Sequence, residues 1–360
     1  MKIDFNPGPS QLYFTVEDHA RKAFREGIPS ISHRSKTFSA VYQSCAEGLK
    51  TLLGIPDNFG IYFTGSATEV WERIIQNLVE KKSTHLVSGD FAQKFYEIAL
   101  AYGKEAKQIC KPAGQGFDLQ DLNLIEDTEL LGITHNETST GVSFDLGHIK
   151  YLRQQHPDAL IAVDAVSSLP QPAFDFNDLD CLYFSVQKGF GLPAGLGVWI
   201  ANDRCLDKAH QLKAKGVNIG SYHSLPSLHK HYQHFQTPAT PNVLSIYLLD
   251  KVIQDMLRRG IKIIRSETEY KAALIYGLLD RAKQLKAAVS NASQRSKTVI
   301  VLQSNAHTQA LKQYLKELKL EAGNGYGTLK DSQLRFANFP AHSKEQFEAL
   351  ADALEAFDSK

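Results

Sequence analysis

Between about residue 45 and residue 255, short apolar runs alternate with stretches whose apolar residues recur near every 3.6 positions. No feature constrains the fold more. Ile61–Thr64, His85–Ser88, Leu130–Thr134, Leu160–Val163, Leu182–Val186 and Gly197–Ile200 read as strands. Between them lie helical patterns, such as Val70, Trp71, Ile74, Ile75 and Leu78 after Thr68-Glu69. Strands joined by helices predict a mostly parallel sheet covered on both faces, and continuous apolar strands such as Leu160-Ile161-Ala162-Val163 fit burial on both sides. In such sheets, ligands bind beyond the carboxyl ends of the strands.

The chain is 360 residues long, beyond the size at which a single core usually splits, so two domains are expected. Residues 16–257 read as a large α/β domain. His223 to Pro241, rich in His, Ser, Pro, Gln and Thr, reads as a long loop before an apolar-striped helix with Val243, Leu244, Tyr247, Leu248, Val252 and Met256. From about residue 258 the chain carries its own strand, Val299–Leu302, and closes on an amphipathic helix with Phe347, Leu350, Leu354 and Phe357. Residues 258–360 read as a smaller α+β domain, joined by residues 1–15.

Composition narrows the classes. Hydrophobic residues make up 43% and charged residues 22%, with a formal net charge of +1, so a basic nucleic-acid footprint is missing. No apolar run reaches membrane-spanning length, and Met1 to Pro9 holds no apolar signal core. Cys45, Cys110, Cys181 and Cys205 are too widely spaced for a disulfide framework or a zinc site. A cytoplasmic protein acting on small molecules is expected, without nucleic-acid, membrane or metal partners. His229, His231 and His234 lack a nearby carboxylate or cysteine to complete a metal site.

Five short motifs follow the predicted strands. Lys188, in Ser185-Val186-Gln187-Lys188-Gly189, ends an apolar strand at what would be a cleft floor. Desolvation there disfavours the ammonium and frees the amine as a nucleophile, and the following glycines let other groups approach. A lysine snorkelling from a strand end is the plainer alternative. Asp164, in Val163-Asp164-Ala165, could pair with the ring nitrogen of a pyridine cofactor, or simply cap the next helix. Thr64-Gly65-Ser66-Ala67-Thr68-Glu69 exposes backbone N–H groups at a helix start, which suits a phosphate, although an ordinary N-cap reads much the same. Phe91, after Ser88-Gly89-Asp90, could stack on an aromatic ring or belong to the core. The polar turn Thr134 to Gly141 offers hydroxyls and an amide to a phenolic oxygen.

Taken in order, these motifs resemble the class V branch of the fold-type-I pyridoxal-phosphate enzymes, and within it the phosphoserine aminotransferase family, from Asn6 to about Pro340. The resemblance implies a fold of that type, with a large domain of mostly parallel mixed sheet sandwiched by helices and a smaller C-terminal α+β domain. It implies pyridoxal 5′-phosphate held covalently by Lys188, with Gln187 beside it, and Asp164 at the pyridine nitrogen. Ala67 and Thr68 would bind its phosphate, Thr138 would sit near its ring hydroxyl, and Phe91 would take the stacking position. Ser32-His33-Arg34-Ser35-Lys36 matches the segment whose His–Arg pair reaches across a dimer to the distal anion of the substrate. Gln236-Thr237-Pro238-Ala239-Thr240-Pro241 matches a segment serving the partner's phosphate site. Arg335 matches the arginine that grips the substrate α-carboxylate. A homodimer with composite sites follows, as does the interconversion of O-phosphoserine and 2-oxoglutarate with 3-phosphohydroxypyruvate and glutamate in serine biosynthesis.

One segment departs from that pattern. Where many phosphoserine aminotransferases carry Gly-His-Arg, this chain reads Gly325-Tyr326-Gly327-Thr328-Leu329-Lys330-Asp331, with Lys330 as a substitute charge. That leaves open another class V aminotransferase, such as an alanine– or serine–glyoxylate enzyme, and a pyridoxal-phosphate fold without transaminase activity. A cysteine desulfurase is disfavoured, because no cysteine lies in a suitable Gly/Ser-rich loop.

Overall fold

The computed structural model describes residues 2–123 and 125–359; Met1, Leu124 and Lys360 lie outside the described residues. The strands are β1 (Ile3–Phe5), β2 (Phe59–Thr64), β3 (Lys82–Val87), β4 (Glu105–Cys110), β5 (Leu130–Thr134), β6 (Asn136–Glu137), β7 (Val142–Ser143), β8 (Leu160–Asp164), β9 (Cys181–Ser185), β10 (Gly197–Asn202), β11 (Lys286–Ala287), β12 (Val299–Gln303), β13 (Leu320–Asn324) and β14 (Gln333–Ala337). The helices are α1 (Val16–Arg25), α2 (Lys36–Leu53), α3 (Ala67–Leu78), α4 (Asp90–Ala101), α5 (Leu119–Leu122), α6 (Leu146–Gln155), α7 (Asp203–Ala214), α8 (Leu225–Tyr232), α9 (Val243–Arg259), α10 (Ile261–Leu279), α11 (Thr308–Glu317) and α12 (Lys344–Asp358).

A seven-stranded sheet runs in the order β2-β10-β9-β8-β5-β3-β4. Only β10 is antiparallel to its neighbours, β2 and β9; the remaining pairs are parallel. The six strands read from the sequence all lie in it, each within a few residues of its expected bounds. Side chains alternate cleanly between the faces, as a period of two demands. Ile61, Phe63, Leu131, Ile133, Ile161, Val163, Leu182, Phe184, Val198 and Ile200 pack with α2, α6 and α9 on one side. Tyr62, Leu130, Ala162, Tyr183 and Trp199 pack with α3, α4, α7 and α8 on the other. Burial on both faces is why these strands read as continuous apolar runs.

A second sheet has the order β1-β13-β14-β12-β11, with β1 parallel to β13. Phe5, Ile300, Leu302, Leu334 and Phe336 from this sheet meet Phe347, Leu350 and Leu354 of α12 in a separate core. The chain's first strand thus docks against residues more than three hundred positions away in sequence, Ile3 opposite Leu320.

The segment from His223 to Pro241 corrects the sequence reading: it is not one long loop but contains α8. Ser224 occupies the N-cap, Pro226 sits in the first turn, and Leu225 and Leu228 are buried against the second face of the large sheet. Asn77 of α3 accepts the Leu225 N–H at 2.8 Å. Eight residues are too few for a helix to persist alone, and tertiary packing stabilises this one. His229 bonds Tyr62 at 3.0 Å and His231 bonds the Ser227 carbonyl, and the described residues hold no His/Cys/Asp/Glu group suited to a metal ion. No helix among the described residues is long and apolar enough to cross a membrane.

Candidate active site

The parallel strands β2, β3, β5, β8 and β9 deliver their C-terminal ends to one edge of the large sheet, where the motif residues gather. Ala67, Thr68, Phe91, Thr138, Asp164, Gln187 and Lys188 line a single cavity of about 100 Å³ there, with Trp71, Asn136 and Ser185.

Lys188, three residues past β9, is 7% exposed. Its Nζ donates to Thr138 Oγ1 at 3.1 Å and lies 5.1 Å from the centre of the Phe91 ring. Burial drives its ammonium down to about 8, against the opposing pull of the Asp164 and Glu137 carboxylates. The amine is therefore far easier to deprotonate than an ordinary lysine's. Gly189 is forced by packing: a β-carbon there would stand 1.8 Å from the Leu169 carbonyl oxygen.

Asp164 closes β8 and is buried. Burial raises its carboxyl to about 6, opposed by the Val166 N–H, the Lys188 charge and the Trp71 indole. The Val166 N–H reaches Oδ1 at 2.9 Å and Trp71 Nε1 reaches Oδ2 at 3.3 Å, so the carboxylate is fixed in place.

Phe91 is set by a cap supplied across space. Glu137, in the polar turn after β5, accepts the Ala92 N–H at 3.0 Å, and Ser139 Oγ accepts the Asp90 N–H at 3.0 Å. These satisfy free donors at the start of α4. Thr138 is held in turn by Ser167, whose Oγ accepts from the Thr138 hydroxyl at 2.8 Å and from Asn136 Nδ2 at 2.7 Å. At the start of α3, Ser66 caps the Glu69 N–H, the Ala67 N–H goes to Ser185 Oγ at 2.9 Å, and Glu69 accepts the Gly65 N–H.

Two expected segments meet each other rather than Lys188. Arg34 Nη1 donates to Gln236 Oε1 and to the Thr237 carbonyl, both at 2.9 Å, and His33 lies 3.3 Å from Thr240 Oγ1. Thr237 lines a separate cavity of about 290 Å³ with Gly65, Glu69 and His223. Arg335, on β14, does reach the site: its Nη1 donates to the Thr138 carbonyl at 3.0 Å and its Nε to the Asn324 carbonyl at 2.6 Å. Burial lowers its pKa. Lys330 is exposed and makes no hydrogen bond or ion pair among the described residues.

Several neighbours escaped the sequence reading. The stretch Asn6-Pro7-Gly8-Pro9 runs beside Lys188: a β-carbon on Gly8 would come within 2.9 Å of Lys188 Cε, and the Ser10 N–H donates to the Gln187 carbonyl. The Pro/Gly density was the only local signal. Trp71 read as core because its spacing on α3 is that of a buried stripe. Tyr326 packs on Phe91 with centroids 5.2 Å apart, takes a hydrogen bond from Lys94 at 2.8 Å, and lies under the Arg335 guanidinium at 5.3 Å.

The residues present fit pyridoxal phosphate. A buried carboxylate is fixed on two donors for the ring nitrogen, a desolvated amine stands near a ring-stacking phenylalanine, and buried Gln187 Oε1 is left without a partner among the described residues.

The chain matches the Aminotransferase class-V family model over residues 4–333. It is 26% identical to the phosphoserine aminotransferase of Corynebacterium glutamicum, across 98% of this chain and 93% of that protein. Among solved structures, a phosphoserine aminotransferase from Cytophaga hutchinsonii is 48% identical, with a TM-score of 0.97, covering 99% of this chain and 98% of that one. An alanine–glyoxylate aminotransferase from Nostoc sp. shares the fold at 22% identity and a TM-score of 0.85, covering 99% and 94%.

Proposed function

The chain belongs to the aminotransferase class-V family, and we propose that it moves an amino group between O-phospho-L-serine and 2-oxoglutarate, with pyridoxal 5′-phosphate as cofactor. The observation that carries the chemistry is the buried Lys188 amine set between the Thr138 hydroxyl and the Phe91 ring, in one cavity with Asp164. The substrate assignment rests on the 48% identity to the Cytophaga hutchinsonii phosphoserine aminotransferase.

Pyridoxal phosphate, when bound, supplies an aldehyde that takes up an amine and a ring that accepts the electron pair left by a departing α-proton. Lys188 would hold the cofactor through its side-chain amine. Burial keeps a larger share of Nζ as free amine than an ordinary lysine has, so Nζ, when free, would be able to take the proton from the substrate α-carbon and hand it back. Asp164, fixed by Trp71 and Val166, would favour positive charge at the ring nitrogen. Phe91 would pack against the cofactor ring, and Gln187 and Thr138 would offer hydrogen bonds to its polar groups. Ala67 and Thr68 would hold the phosphate, and Gln236 and Thr237 would serve the site of a partner copy.

Arg335 binds the α-carboxylate through Nη2, which its bonds to the Thr138 and Asn324 carbonyls leave free. His33 and Arg34, with Lys330, take the distal anion: a phosphate in one half-reaction, a γ-carboxylate in the other. A cytoplasmic homodimer with composite sites completes the reading.

The test is spectrophotometric. The purified holoprotein should show visible absorbance from bound cofactor, and O-phosphoserine should bleach it while alanine does not. Bleaching by alanine alone would move the enzyme to another amino donor, in line with the altered segment around Tyr326. A colourless protein that takes up no cofactor would refute the reading.

A further inference from the structure

Behind the Lys188 cavity lies a larger one of about 350 Å³, within the size range of small-ligand pockets. It sits where the two sheets meet. The turn after β5 and the segment from Ser168 to Ala173 form one wall; α10 and the segment from Ser293 to Thr298 form the other. Asn136 lines both cavities.

The polar groups of this cavity are not balanced. Lys297 pairs with Glu269, and Arg295 spends its guanidinium on Asp280 and on the Val289 and Ser290 carbonyls. Arg265 has no carboxylate partner among the described residues. Its Nε and Nη2 donate to the Pro170 and Pro172 carbonyls, and its Nη1 makes no hydrogen bond among those residues. A half-buried guanidinium without a counter-charge is costly, and a planar fork of this kind suits a carboxylate or phosphate. Two groups enclosed within lining residues also lack partners among the described residues, though neither atom is itself open to the cavity: His135 Nδ1 and Ser168 Oγ. Buried polar atoms of this kind are nearly always satisfied in folded proteins. Asp145 is the remaining carboxylate of the lining, and it is occupied in capping α6.

We propose that this cavity is a second ligand site, taking a small carboxylate or phosphate anion on Arg265. The shared wall makes the position consequential. Asn136 donates to Ser167, Ser167 accepts from Thr138, and Thr138 accepts from Lys188. Thr298, on the opposite wall, donates to the Ser167 carbonyl at 2.6 Å. An occupant would therefore brace the junction of the two sheets directly behind the reactive lysine.

Crystals of the holoenzyme soaked in sodium selenate, and separately in sodium malonate, test this. The expected result is an ion on Arg265 in the wild-type cavity, absent in Arg265→Met, while ions in the Lys188 cavity are unchanged. Selenate alone would assign the phosphate class and malonate alone the carboxylate class. An empty cavity in both soaks overturns the proposal. So does an ion that persists in Arg265→Met, which would mark an adventitious ion only. Should Arg265→Met fail to fold, Arg265→Gln takes its place, with undiminished occupancy refuting the site.

Discussion

Ser167→Ala removes a hydroxyl that touches neither cavity's chemistry directly, yet holds the residue that does. Its Oγ accepts from Asn136 Nδ2 at 2.7 Å and Thr138 Oγ1 at 2.8 Å, and donates to the Asn136 carbonyl at 3.0 Å. Ser167, Asn136 and Thr138 are each at most 5% exposed, so water does not readily replace the lost partners. Three ordinary hydrogen bonds at about 1 kcal/mol each give a loss of about 3 kcal/mol, and groups left unsatisfied could cost up to about 3 kcal/mol apiece. Denaturant unfolding followed by circular dichroism measures the loss. The same change frees the Thr138 hydroxyl, which now points its lone pair at Lys188 because its proton goes to Ser167. Turnover should fall about tenfold, roughly 1.4 kcal/mol of barrier, with KM for phosphoserine unchanged. A stability loss under about 0.5 kcal/mol, below the range of even one net hydrogen bond, would refute the reasoning. A change in KM without a change in kcat would refute the link to Lys188.

Lys188→Ala should abolish turnover and covalent retention of the cofactor, both read from activity and from absorbance after dialysis; normal turnover would defeat the functional reading. Arg34→Ala should raise KM for phosphoserine by about ten- to a hundredfold, ~1.4–2.7 kcal/mol, and equal damage to alanine kinetics would refute a distal-anion role. Tyr326→Ala removes the ring shared by Phe91, Lys94 and Arg335, so KM should rise for every amino donor, whereas Tyr326→Phe keeps the ring packing and should stay near wild type in steady-state kinetics. Burial holds His85 down to about 3 and His135 and His342 to about 4. The unfolded chain protonates these groups near 6.5 and so binds more protons below that pH, and stability should fall as pH drops from about 6.5 toward 4. Urea titrations across this window should show a shallower slope for His85→Gln, and a flat wild-type profile would contradict the assignment.

The strands of the large sheet were legible because burial on both faces leaves an uninterrupted apolar signature, as in Leu160 to Val163. The order of chemical groups was legible for a related reason. In a parallel sheet, every strand's carboxyl end points to one edge, so residues that follow successive strands must converge, and Ala67, Phe91, Thr138, Asp164 and Lys188 do. Exposed β4, with its alternating polar residues, gave no such signal.

Tertiary structure alone decided the rest, because the interactions concerned join residues far apart in the chain. Short α8 depends on Asn77 and on a sheet face contributed by other strands. The environment that lowers the Lys188 ammonium is built from Thr138, Glu137 and Asp164, and neither burial nor charge proximity is encoded within Gln187-Lys188-Gly189. The approach of Gly8 to Lys188, the Trp71 bond to Asp164 and the meeting of Arg34 with Gln236 likewise arise only on packing. Local sequence determined which groups stand at each strand end, through periodicity and turn chemistry. Distances between those groups, and hence their acidity and reach, were set by how the helices and the second sheet close over that edge.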